Sequence, residues 1–229
     1  MVEEKISRIR EKLLFMASIV EQMIRDSVKS LVERDEELAS RIINEQEPRV
    51  NQLEIEIDEM CINLLALYQP KAADLRAVTM MMKINNDLER IGDHAVNIAE
   101  RAIPLIRTPP VKPLIDIPRM AEEATGMLRD SLDSFTNSDF ELAIKVCERD
   151  EVVDGLRDQI TRELITYMIS DPTTIERALH LILIARDLER VADLATNIAE
   201  DVVFMVRGET IKHKAHLGTD YLVRKGEER

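Results

Sequence analysis

Two carboxylates four residues apart on a helix share one face, and oxygen donors on one face suit a hard cation. Glu89 and Asp93 have that spacing, and Glu189 and Asp193 repeat it one hundred residues later. Each pair sits in a duplicated phrase, DLERIGDHAVNIAE over 87–100 and DLERVADLATNIAE over 187–200, identical at ten of fourteen positions. Like charges one turn apart cost an isolated helix roughly 0.2–0.5 kcal/mol per pair, yet both copies keep them. A bound cation removes that cost, since hard multivalent cations and iron both take carboxylate oxygens. The competing reading is a solvated acidic face relieved by Arg90 and Arg190.

A second acidic station precedes each phrase. Asp150 and Asp154 are again four apart, and Glu47 and Asn51 match them, because Val50-Asn51-Gln52-Leu53 aligns with Val153-Asp154-Gly155-Leu156. If the two stations of a half face each other, they make a four-oxygen site open to water. That geometry suits iron, manganese, calcium or magnesium better than a closed zinc site. Asn51 replaces a charged ligand, so the first site is expected to bind more weakly.

The elements that must position these residues read as helices. In each phrase Leu88, Ile91, Ala95 and Ile98, or Leu188, Val191, Ala195 and Ile198, fall on one face at about 100° per residue. The acids, with Asn97 and Glu100 or Asn197 and Glu200, fall opposite. A first helix is expected over about 4–34, its stripe running Ile6, Ile9, Leu13, Met16, Val20, Ile24, Val28 and Leu31. That stripe calls for a neighbouring helix or a dimer edge. A second helix over about 36–68, capped by Asp35, is expected to kink at Glu47-Pro48. A third runs from about Ala72 to Ile103. Five prolines in 104–118 (Pro104, Pro109, Pro110, Pro113, Pro118) exclude a helix there and mark a linker. The second half repeats the order: helices over about 117–136, 139–169 without a proline break, and 172–206, with Ser138 or Asp139 and Pro172 at helix starts and Gly208 as a stop.

The expected fold is therefore all-α: two tandem up-down-up three-helix bundles related by an internal repeat. The first covers 1–106, a Pro-rich linker 107–116, the second bundle 117–207, and a polar tail 208–229. Composition agrees. The 229 residues are 45% hydrophobic but only 3% aromatic, with no Trp and six Gly, as expected of bundles packed by aliphatic side chains. The net charge of −13 argues against binding nucleic acid or an anionic membrane. The charged start MVEEKISRIREK predicts no secretory leader, and no apolar run is long enough to span a bilayer. A cytoplasmic location without direct membrane insertion is expected, with Cys61 and Cys147 as buried free thiols.

Other candidates carry less. Met80, Met81 and Met82 point in different directions and read as core filling. His94 and His180 read as packed or hydrogen-bonded, and His213 and His216 as part of a solvated tail. A carboxylate-bridged di-iron enzyme needs Glu-x-x-His pairs aimed into a bundle core. None occurs, so no catalytic residue is assigned. A purely structural scaffold without metal is the other alternative.

The twin phrases, the acidic stations before them, the mid-chain prolines and the ending DVVFMVRGETIKH resemble the PhoU family of phosphate-signalling regulators over almost the whole chain. The resemblance implies metal on paired acidic motifs, with Glu47, Asn51, Glu89 and Asp93 in the first half and Asp150, Asp154, Glu189 and Asp193 in the second. Asn97 and Asn197 would add amide oxygens. It implies iron first, with zinc, manganese, magnesium or calcium as alternatives. It also implies a homodimer and an adaptor without turnover. That adaptor would link the ATPase of a phosphate ABC transporter to a sensor histidine kinase and repress the phosphate regulon when phosphate is plentiful.

Overall fold

The computed structural model describes residues 2–208, and among them every regular element is helical. Helix α1 (Val2–Glu33) is a single 32-residue rod. Its apolar stripe is buried within the chain, against the middle and third helices of its own half and the first helix of the other. The tail beyond Gly208, including His213 and His216, lies outside the described residues. Asp35 caps α2 (Glu36–Arg41) by accepting from the Leu38 amide, as expected of an N-cap aspartate. A five-residue π-helical stretch, Ile42–Gln46, leads into α3 (Glu47–Tyr68), with Pro48 in its first turn. Helix α4 (Ala73–Ile106) carries the first phrase.

The second half follows with α5 (Asp116–Asn137), α6 (Phe140–Glu148), α7 (Asp150–Ser170) and α8 (Ile175–Arg207). Asp139 caps α6, accepting from the Leu142 amide. A turn of 3₁₀ helix, Pro172–Thr174, precedes α8, and Gly208 closes it at φ 71°.

Three expectations change. The middle helix of the second half is not continuous: it breaks at Arg149, opposite the first half's break, although it has no proline there. Arg149 is anchored to α5 through Asp130 and Glu123, and Gly126 leaves room for its guanidinium beside that helix. The break thus belongs to the repeat, and Pro48 only suits it. The halves also differ by one residue. Fifteen positions separate Asp35 from Val50 and fourteen separate Asp139 from Val153, and the wider π turn takes up the extra one.

The prolines are the second correction. Pro104 lies inside α4 and Pro118 in the first turn of α5, so the non-helical stretch is 107–115. Proline is tolerated in a first turn, where amides lack intrahelical partners. Near a C-terminus it removes one bond without interrupting a long ladder.

The third concerns independence of the halves. One contiguous core runs through both. Helices α4 and α8 pack against each other, with Ile84, Leu88, Ile91 and Ile184, Leu188, Val191 all fully buried. Lys83 meets Asp201 at 3.1 Å while Arg101 meets Asp187 at 3.6 Å, so the two helices run antiparallel. His94 Nδ1 and Asp187 Oδ1 stand 3.0 Å apart across the same seam. The linker is pinned too: buried Lys112 pairs with Asp116 at 3.3 Å and with Glu163 of α7. Met80 and Met81 are core residues, as expected.

Candidate functional site

Each half brings its middle helix alongside its third, α3 by α4 and α7 by α8, and the acidic stations do face each other. Gly92 of α4 faces Val50 of α3, whose Cγ1 would lie 3.4 Å from a Cβ there.

In the first half Glu47 and Glu89 are half-buried, and Asp93 and Glu100 are exposed. The Glu47 carboxyl is raised above its ordinary range, by burial first and then by the charges of Asp93 and Glu100. Glu89 is raised likewise, by burial, then Asp93 and Glu54, with Arg90 offsetting part and Glu47 adding to it. Glu54 is raised by burial and Asp58. These carboxylates therefore share one field. Among the described residues none of Glu47, Glu54, Glu89 or Asp93 has a Lys or Arg nitrogen within 4.0 Å, and Arg90 leans instead toward Asp87 at 3.7 Å. Asn51 is exposed and Asn97 half-buried.

The second half has the same four positions and a different balance. Asp150, Asp154 and Asp193 are half-buried, as is Asn197, and Glu189 is buried. The expectation that these acids all face outward is corrected here: the Glu189 side chain is 12% exposed and lies against Arg157 of α7, Nη1 donating to Oε1 at 2.8 Å. The same nitrogen is 3.4 Å from Asp154. Arg190 donates to Asp193 at 2.7 Å. Asp150, in the first turn of α7, has no such partner among the described residues. Its carboxyl is pushed up to about 6, by burial and then by Asp193, Asp154 and Glu189.

Hard cations take sets of carboxylate and carbonyl oxygens. The first set, Glu47, Glu89 and Asp93 with Glu100 close by, fits that chemistry. Among the described residues no three His, Cys, Asp or Glu side chains converge tightly enough to hold a metal as they stand. The second set does not fit as placed, because guanidinium groups already engage three of its four carboxylates. The expectation of a weaker first site rested on Asn51 alone. Glu54 and Arg157 occupy matching positions on α3 and α7 and also set the charge of each groove. The offset of 103 that aligns Val50 with Val153 aligns these two as well.

Among the described residues neither thiol is placed for nucleophilic chemistry. Cys61 and Cys147 are buried, and burial pushes both thiols up to about 12. No described helix is long and apolar enough to cross a membrane.

The PhoU domain matches twice, at residues 13–102 and 117–202. A phosphate-specific transport system accessory protein PhoU homolog of Aquifex aeolicus (strain VF5) is 42% identical over 211 residues, 92% of this chain and 95% of that protein. The crystal structure of PhoU from Pseudomonas aeruginosa superposes with a TM-score of 0.87 at 38% identity, covering 91% of this chain and all of the other. That of the phosphate transport system regulatory protein PhoU from Streptococcus pneumoniae gives 0.83 at 28% identity, covering 92% and 99%.

Proposed function

This chain belongs to the PhoU family, and from that premise we propose that it regulates phosphate uptake and phosphate-dependent signalling. In this reading it is an adaptor between the ATPase of a phosphate ABC transporter and a sensor histidine kinase, and represses the phosphate regulon when phosphate is plentiful. It acts as a cytoplasmic homodimer and turns over no substrate. The observation that carries the reading is the near full-length match to accessory proteins of the phosphate-specific transport system. The state of the two thiols supports a binding role: both are buried and protonated at neutral pH.

The same reading places a metal ion, iron first, at the first station, held by Glu47, Glu89 and Asp93. When bound, it supplies positive charge to a face of an otherwise strongly acidic protein. Charge of that kind mainly sets encounter rate and orientation with a partner. The residues' own part is to keep an open oxygen-lined groove: Glu47 from the start of α3, Glu89 and Asp93 from successive turns of α4.

Deleting the gene and following a phosphate-regulon reporter tests the regulatory claim, with derepression expected at high phosphate. Capture of the ATPase and the kinase's cytoplasmic region by the purified chain tests the adaptor claim. A reporter that stays repressed, or capture of neither partner, contradicts it.

A further inference from the structure

The two stations are copies, but their cations come from different sources. At position 54 the first repeat has Glu, and at the matching position 157 the second has Arg. Both face the third helix of their half. Glu54 acts on Glu89 as a like charge, while Arg157 bonds Glu189 at 2.8 Å. The reversal is reinforced one turn away. Arg190 donates to Asp193 at 2.7 Å and comes within 3.7 Å of Glu189, whereas the matching Arg90 leans to Asp87. In the second station Asp154, Glu189 and Asp193 therefore all face a guanidinium.

We infer that Arg157 is the resident cation of the second station and closes it to metal ions, so that only the first repeat accepts one. Three physical points support this. A metal ion needs oxygen lone pairs, and Arg157 Nη1 already occupies one on Glu189 and lies 3.4 Å from Asp154. Such an ion would also be set beside a permanent positive charge, since Arg does not deprotonate in proteins. And Arg157 is fixed: Nη2 donates to Asp158 at 2.8 Å, and its side chain is 31% exposed, wedged between α7 and buried Glu189. The second repeat thus behaves as a permanently loaded copy of the first.

The inference rests on the first station accepting a cation, and its test separates the two claims. Mn²⁺ is the probe, counted by equilibrium dialysis and by the loss of the free-ion paramagnetic signal. In the full chain carrying Glu89→Gln and Asp93→Asn, only the second station can bind. No Mn²⁺ should be retained there. Adding Arg157→Gln should gain about one ion per chain, in keeping with a restored carboxylate set. Adding Arg157→Lys, which keeps the charge, should gain none. Circular dichroism confirms the fold, and Arg157→Met, which keeps the packing of the stem, replaces the Gln variant if that one fails to fold. Mn²⁺ held by the second station with Arg157 in place, and released by Asp150→Asn, overturns the inference. So does a folded Arg157→Gln or Arg157→Met chain that gains nothing. If the unmutated chain also binds no Mn²⁺, the first station's role falls with it.

Discussion

The α3–α4 groove and the α7–α8 groove descend from one pattern and now balance their charge differently. Among the described residues Glu47, Glu54, Glu89 and Asp93 crowd without a paired cation, and burial with mutual repulsion raises Glu47, Glu54 and Glu89. Asp150, Asp154, Glu189 and Asp193 share their groove with Arg157 and Arg190. A buried carboxylate persists where something positive compensates it. The second groove draws that compensation from its own sequence, and the first is left open to an outside source. One difference on a middle helix, Glu54 against Arg157, changes the charge balance of a groove while leaving the recognisable motif intact.

The largest expected effect tests whether the grooves share one body. Leu88 and Leu188 are fully buried in the α4–α8 seam. Leu88→Ala and Leu188→Ala should each cost about 2–5 kcal/mol, and each should move a single denaturant transition. Two separate transitions, with each variant shifting only one, would show that the halves fold apart.

Next comes the charge difference itself. Arg157→Gln strips a partner from buried Glu189 and should lower stability by about 1–3 kcal/mol. Glu54→Arg places a guanidinium beside Glu89 and should raise it. Thermal melts of the two variants at low salt decide this, and shifts of the same sign would erase the contrast.

The pH response sharpens it further. Asp150 holds its proton to a pH of about 6 in the folded chain, against about 3.9 for an unfolded aspartate. Between those values the folded state carries the extra proton, so stability falls as pH rises through this window and levels off above it. The raised Glu47, Glu54 and Glu89 act in the same direction. Asp150→Asn should therefore stabilise the chain near neutral pH by about 1–2 kcal/mol, with allowance for its partial exposure. The gain should vanish below a pH of about 4. Denaturation midpoints across this range check the sign.

Much of this was legible in the sequence. The duplicated phrase, the apolar stripes and the caps at Asp35 and Asp139 follow from local chemistry, and the structure has them where spacing puts them. The caps offer the smallest test: Asp35→Ala and Asp139→Ala should each cost about 0.5–1 kcal/mol, equally in both halves, as read from urea midpoints. What the sequence hid depends on neighbours far along the chain. The break at Arg149 is held by Asp130 and Glu123 of another helix, so no local breaker announces it. The burial of Glu189 and the shared α4–α8 core follow from helix packing, which periodicity leaves undetermined because it gives a stripe and not its partner. The exchange of Glu54 for Arg157 was there to be read. It lies one turn beyond the Glu47/Asn51 and Asp150/Asp154 pairs on which attention to the motif alone would stop.

The most direct measurement is Mn²⁺ retained per chain at equilibrium by the unmutated protein and by Glu54→Arg, which gives the first groove the second groove's counter-ion. The account predicts that the unmutated chain retains Mn²⁺ through Glu89 and Asp93, and that folded Glu54→Arg loses it. Equal retention by the two chains would contradict it.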